Sequence, residues 1–215
     1  DYGNRVGVWR CLELFDDLNL PAAHLINTTV FDYAPQIVAA LRARGDEFIG
    51  HGRTNAERQK GLWEADERRF IKDVTDTIAQ REGKPPKGWM GPAAAESNST
   101  IDLLKEAGYK YVMDWPADDQ PFWLRTRSGP ILSVPYSHDL NDSIECVSRR
   151  TPSQIWCENL IDQFDEMLAE SERRPLVMPI VLHSFILGQP YRMRQFRRVI
   201  EHILRARDRI WLTRP

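Results

Sequence analysis

Two apolar, strand-like runs in this chain each stop on a histidine: "EFIGH" ends at His51 and "PIVLH" ends at His183. In parallel β/α architectures the carboxyl ends of the strands are where catalytic groups collect. An imidazole placed there can act as a general acid or base near neutral pH. A lone histidine in that position more often bonds a neighbouring backbone group and does nothing else. Two of them on separate strand ends shift the balance toward chemistry.

His51 is followed four residues on by Asn55. A His-x3-His pair would be a zinc signal, but a carboxamide lacks both the charge and the donor softness of a good zinc ligand. Asn55 could instead hydrogen-bond a substrate carbonyl or amide, or close the turn after the strand. Other polar residues falling at strand ends are Asn27, Trp89 with Pro92, Asp114 with Asp118 and Asp119, Tyr136 with Asn141 and Asp142. The acidic stretch "DWPADDQP" could orient a histidine, bind a cation or recognise a polar substrate, and Asp and Pro are also ordinary turn formers. Crowded carboxylates repel, so one of them should be hydrogen-bonded or paired. Trp89 and Trp115 could stack on a sugar ring or a planar amide, or fill core. The arginines of the segment 192–207 read as a solvated helix face.

The elements that must hold these residues follow from periodicity and punctuation. Helical spacing covers 5–19, 30–44, 64–82, 99–107, 152–172 and 192–207. Strand-like runs cover 22–27, 47–51, 88–91, 110–115, 176–183 and 209–213, with a hairpin-like pair across 122–136 turning at Ser-Gly-Pro. Gly45 and Gly83 stand just past two of the helices, as C-caps do. Strand and helix alternate nearly throughout, which predicts an α/β fold with a mainly parallel sheet, of barrel rather than doubly wound type. Neither GxGxxG nor GxxxxGK[ST] follows any strand, which disfavours a nucleotide-binding sheet. The chain opens on a helix, whereas a closed β/α barrel begins with a strand. A first strand upstream of Asp1 is therefore expected.

Bulk properties narrow the function classes. The 215 residues suffice for one large domain, and a single domain over 1–215 is expected. A net charge of −2 supplies no field to gather nucleic acid. No apolar run reaches the length that spans a bilayer. Three cysteines without CxxC spacing fit a reducing, cytoplasmic setting.

Several stretches taken together resemble the polysaccharide deacetylase (NodB-homology) family, carbohydrate esterase family 4: "RVGVWRCLELFDDLNLPAA", "ALRARGDEFIGHGRTN", "GWMGP", "STIDLLKEAGYKYVMDWPADDQP", "SVPYSHDLND" and "IVLHSFILGQPYRMR". The resemblance covers nearly the whole chain and is nearest the allantoinase-like and peptidoglycan-deacetylase-like branch. It implies a distorted (β/α) barrel, here without its first strand, and hydrolysis of a carbon–nitrogen amide bond, typically of an N-acetylated amino sugar. Family members use a divalent metal held by an Asp and an H-x3-H pair, with a base Asp beside it and a late His as general acid. Residue by residue, His51 matches the first metal-binding His and Asn55 stands where the second would be. His183 matches the late catalytic His. Trp89 and Pro92 fall in the third motif, without the Arg that many members carry. The Asp114–Asp119 loop matches the motif that orients catalytic groups, which gives Asp119 a catalytic part and Asp118 a substrate-facing one. Trp89, Trp115, Tyr136 and Asn141 complete the substrate-binding set, with Tyr136 or a nearby backbone amide at the oxyanion. The first motif, with the base, would lie before Asp1.

Asn55 points toward a metal-free or weak-metal site, so zinc and no cofactor are both open. Three functions follow: an amino-sugar N-deacetylase first, a metal-independent, allantoinase-like ureide hydrolase second, and a non-catalytic carbohydrate-binding relative third. The expected partners are a small-molecule or glycan amide substrate and further copies of the chain as a homo-oligomer.

Overall fold

Amphipathic spacing at the start of the chain becomes a π-helical turn over Gly3–Gly7 that runs into α1 (Val8–Asp17) in a computed structural model describing residues 1–215. β1 (Ala23–Ile26), α2 (Val30–Tyr33), α3 (Pro35–Arg44), β2 (Glu47–Gly50), α4 (Glu64–Glu82), β3 (Gly88–Trp89), α5 (Thr100–Glu106) and β4 (Tyr111–Val112) follow. The hairpin β5 (Phe122–Thr126) and β6 (Gly129–Ser133) comes next, then α6 (Ser153–Glu170), α7 (Ser184–Leu187) and α8 (Pro190–Leu204). Gly45 ends α3 at φ +69°, a left-handed conformation that a side chain would resist. The chain divides into a sheet unit, Ala23–Pro135, and a helical unit made of Asp1–Ala22 with Tyr136–Arg214.

The sheet unit has six strands in the order β1-β2-β3-β4-β6-β5. β1 to β4 and β6 run parallel, and β5 returns antiparallel along β6. Parallel register sets Gly50 opposite Trp89, and Trp89 opposite Val112. The residues that leave β1, β2, β3 and β4 therefore emerge along one edge: Asn27, His51, Met90 and Met113 with Asp114. The apolar stripe of α4, Phe70, Ile71, Val74 and Ile78, is buried. Trp89 lies in edge-to-face contact with Phe70 and Tyr109, with ring centroids 6.1 and 5.5 Å away. Burial of each such side chain stabilises the unit by about 2–3 kcal/mol.

The helical unit is organised by α6 and α8. Trp156 stacks on Phe196 with centroids 5.9 Å apart and planes 10° off parallel. Cys11, Leu14, Leu160, Val199 and Ile203 fill the same core.

The α/β class and the mainly parallel sheet expected from alternation hold. Two expected strands do not form. Residues 176–183 and 209–213 join no ladder. Their alternating apolar residues are satisfied by helices: Met178, Ile180 and Leu182 pack on the helical core, as do Ile210 and Leu212. Backbone groups in 176–183 find other partners, Val181 O from the Asp142 N–H and the His183 N–H to Asp142 Oδ2. Period-two apolarity reports burial of one face, and a helical surface buries it as well as a sheet does.

Candidate active site

His183 is the last residue before α7, held with extended backbone at φ −120°, ψ 125°. Its N–H donates to Asp142 Oδ2 at 2.8 Å, and its ring Nδ1 stands 2.6 Å from Asp142 Oδ1. Both atoms of His183 are donors when Nδ1 carries the proton, which makes Nε2 the acceptor nitrogen. The Asp142 side chain is wholly buried and that of His183 is 32% exposed. A buried carboxylate thus orients a histidine that keeps a face toward solvent, the geometry of an oriented acid–base group. The exposed ring of Phe185 stands edge-on to it at 5.9 Å.

Of the other residues expected here, Tyr136 is buried. Asn141 is buried as well, and its Oδ1 accepts from both the Ser143 N–H and the Ser143 hydroxyl, at 2.9 and 2.8 Å. That oxygen closes the turn into the helical segment Ser143–Ser148 and is not available to a substrate. Burial pushes the Cys11 and Cys157 thiols up to about 12, so neither is a ready nucleophile.

In the sheet unit, His51 leaves β2 with its N–H bonded to Ile26 O at 3.1 Å. Asn27 donates from Nδ2 to His51 O, and His51 Nδ1 donates to Met90 O, both at 2.5 Å. The bond to Met90 O fixes the proton on Nδ1 and leaves Nε2 as the coordinating type of nitrogen. Asn55 is exposed in a turn, and no helix links it to His51. A zinc site takes three or four N, S or O donors at tetrahedral spacing. Here one imidazole and one exposed carboxamide are offered, and no three His, Cys, Asp or Glu side chains gather to hold an ion. These residues do not by themselves fit a zinc ion.

The acidic loop after β4 divides. Asp118 and Asp119 are exposed, and Asp118 accepts the Gln120 N–H at 2.9 Å in a local turn. Asp114 is buried, with Oδ1 accepting the Gly91 N–H at 2.8 Å. Its second oxygen, Oδ2, is buried without a hydrogen-bond partner, as is Oε1 of Glu96, a residue of the loop after β3 whose carboxyl interacts with that of Asp114. Burial pushes Glu96 up to about 7, with the charge of Glu67 acting in the same direction. Burial raises Asp114 well above the usual carboxylate range, with the charge of Glu96 adding to it. Glu96 Oε2 in turn accepts Trp115 Nε1–H at 3.0 Å, and Trp115 is 43% exposed. Trp89 is 0% exposed, its ring packed against Phe70 and Tyr109. The stacking surface expected of Trp89 is spent on the core, and Trp115 is the tryptophan of this edge with a ring face to offer.

Sequence reasoning did not single out Asp142 as the partner of His183, nor Glu96 as the partner of Asp114. Asp142 lies 41 residues from His183. Glu96 sits in a small, polar loop that reads as ordinary connection. The demand that one carboxylate of a crowded set be paired was the usable signal, and Asp114 rather than Asp119 meets it.

The sequence model of the family described as Polysaccharide deacetylase matches residues 1–112. A Schizosaccharomyces pombe protein assigned as a polysaccharide deacetylase is 27% identical over 229 residues, covering 99% of this chain and 71% of its own length. The peptidoglycan deacetylase of Helicobacter pylori is 24% identical, covering 99% of this chain and 82% of its own. Among solved structures, that of PuuE allantoinase superposes with a TM-score of 0.91 at 29% identity, covering 99% of this chain and 70% of the other.

Proposed function

We propose that this chain, which belongs to the polysaccharide deacetylase family, removes N-acetyl groups from an amino-sugar substrate. Membership makes it an enzyme, a hydrolase of carbon–nitrogen bonds other than peptide bonds. The observation that carries the finer reading is His183 held by Asp142. Water adds to the amide carbonyl and gives a tetrahedral oxyanion as its proton passes to His183 Nε2. His183 delivers a proton from Nε2 to the leaving nitrogen, the C–N bond breaks, and a free amine and acetate result. For that step the ring must first gain a proton at Nε2, and Asp142 stabilises the imidazolium so formed. Tyr136 or a neighbouring backbone N–H serves the oxyanion. Trp115 offers a ring to a sugar face, Asn55 and Asp118 are exposed polar groups that can meet a hydroxyl or an amide, and Asp119 keeps the catalytic part implied by the family motif.

Family members typically depend on a divalent metal, which supplies Lewis-acid polarisation of the carbonyl when bound. His51 would be its ligand in this chain, and the donor set described above routes no step through it. The reading keeps 1–215 as one catalytic domain. The test is acetate release from N-acetylglucosamine oligomers, with metal content measured on the same sample. Release that disappears in His183→Ala supports the reading, and no release with or without added zinc overturns it.

A second reading is hydrolysis of a cyclic ureide. Asn55 in place of a second histidine favours it, as does the likeness to an allantoinase. Ring opening of allantoin without acetate release from the oligomers would select it.

A further inference from the structure

The loop after β3 and the loop after β4 meet at a polar knot that the mechanism above does not use. Gly91 N–H, Asp114 and Glu96 follow one another in it, and the Trp115 indole N–H closes the far end. Asp114 Oδ2 and Glu96 Oε1 are both buried and neither accepts from a donor, while the two side chains interact, so two ionised carboxylates would have no proton to share. A second observation marks the place as polar by construction. Gln59 is 0% exposed with neither side-chain atom bonded, and it lies against Gly91 together with Asp114 Oδ1 and Trp89 Nε1. Gly91 has no room for a side chain there, which lets these groups close on its backbone.

We propose that Glu96 and Asp114 hold one proton between them, and that this shared proton fixes Trp115 as the ring face of the substrate site, making Glu96 a positioning residue. Asp114 is anchored by Gly91 N–H through Oδ1, and Glu96 is anchored by Trp115 through Oε2. Only Oδ2 and Oε1 remain to meet, and one proton between them turns a repulsion into a strong hydrogen bond. Removal of that proton to solvent sets two negative charges side by side and breaks the link from Asp114 through Glu96 to the indole. The charged groups facing the pair strengthen its hold on the proton: Glu67 of α4 faces Glu96, and each carboxyl faces the other. Gln59 and Trp89 gather with Asp114 around Gly91 and bring neutral groups. The substrate role of Trp115 rests on the function proposed above, whereas the shared proton does not.

The test reads the free protein. Tryptophan fluorescence is followed from pH 5 to 9 in the full chain and in Trp115→Phe, and the difference isolates Trp115. A transition with a midpoint near pH 7 is expected. It should vanish in both Glu96→Gln and Asp114→Asn. Trp115 N–H and Gly91 N–H hold the amide oxygens on their own sides, so each new NH2 takes the place of the shared proton and cannot leave. Glu96→Ala should give the high-pH signal at every pH. Dissociation constants for an N-acetylglucosamine oligomer are measured alongside. Wild-type affinity should fall several-fold between pH 6 and 8.5, and Glu96→Gln affinity should not. No Trp115 transition in the wild type, or one that persists unchanged in Glu96→Gln and Asp114→Asn, overturns the proposal. A transition that behaves as expected while no oligomer binds at any pH leaves the proton pair standing and overturns the platform role and the sugar reading.

Discussion

One carboxylate, that of Asp142, holds His183 at two points: Oδ2 accepts the backbone N–H at 2.8 Å, and Oδ1 accepts the ring Nδ1–H at 2.6 Å. The first bond sets where the residue stands at the start of α7. The second sets which ring nitrogen carries the proton. Burying the Asp142 charge is unfavourable, and the two donors offset that desolvation.

His183→Ala should lower kcat for amide hydrolysis by at least about a hundredfold, the scale of a general acid–base group. Asp142→Asn should cost a comparable factor for a different reason. Both groups that face this side chain are donors, and a carboxamide has a single acceptor oxygen, so one contact becomes donor against donor. The ring must then change tautomer or turn away. Steady-state kinetics beside urea melts checks both variants. A folded His183→Ala protein with unchanged kcat would remove His183 from the reaction.

Gly7→Ala should destabilise the helical unit by about 3 kcal/mol, the upper range for overpacking. A side chain there would run into the backbone carbonyl of Ser184, and Gly188 Cα closes on the same turn. Backbone on backbone cannot yield as a flexible side chain does. The close approach also seats the start of α7, so activity should fall with stability. Gly45→Ala is the control, since its φ is +69° but nothing lies within 4 Å of the new carbon. It should lose only about 1 kcal/mol. Equal losses in the two variants, measured by urea unfolding, would mean that the approach of Gly7 to Ser184 carries no strain.

Much of the fold could be read from residue order because its signals are local. Gly45 and Gly83 end helices in the left-handed conformation their positions implied. The hairpin between β5 and β6 forms as expected, although its turn is Arg127-Ser128 and the Gly129 and Pro130 of the expected turn already pair in β6. The runs at 176–183 and 209–213 misled because alternation reports which face is buried, not what buries it. The site divided in the same way. His183 was singled out at the end of a strand that does not form, and it stands instead just before α7. Its partner Asp142, and the meeting of Glu96 with Asp114, depend on how distant loops close, and no spacing encodes that. Trp89 could not be sorted from Trp115 by type. A glycine at position 50, opposite Trp89 in the register, is what lets the indole sink into the core.

Thr100→Val should cost about 1–3 kcal/mol although it keeps the shape of the side chain. Glu67 is wholly buried in α4, and its two oxygens accept from the Thr100 and Ser97 hydroxyls, at 2.5 Å each. Removing one donor leaves a buried carboxylate half satisfied. The Thr100 oxygen also accepts the Ser97 N–H at 2.8 Å, so the loop that carries Glu96 loosens with it. The expected signature is a lower urea midpoint together with faster amide exchange at residues 96–99. A midpoint within experimental scatter of the parent would show that Glu67 finds another donor.

Glu96→Gln should remove part of the pH dependence of stability, and the sign follows from the direction of the shift. Burial first, and the charge of Glu67 after it, raise this carboxyl from 4.5 to about 7 in the folded chain. A group that holds its proton more tightly when folded contributes its full stabilisation below the unfolded value, near pH 4.5. That contribution shrinks as the unfolded chain ionises and is gone once the pH passes about 7. Asp114 is shifted in the same direction by burial and by Glu96, so the pair declines together. The Glu96→Gln side chain never ionises, and its NH2 replaces the shared proton at Asp114. Relative to its own value at pH 5, the wild type should therefore lose about 2 kcal/mol more than the variant by pH 8. Urea unfolding at pH 5, 6, 7 and 8 measures the difference. Parallel curves for the two proteins across that window would show that the carboxyls at positions 96 and 114 ionise alike in the folded and unfolded chain.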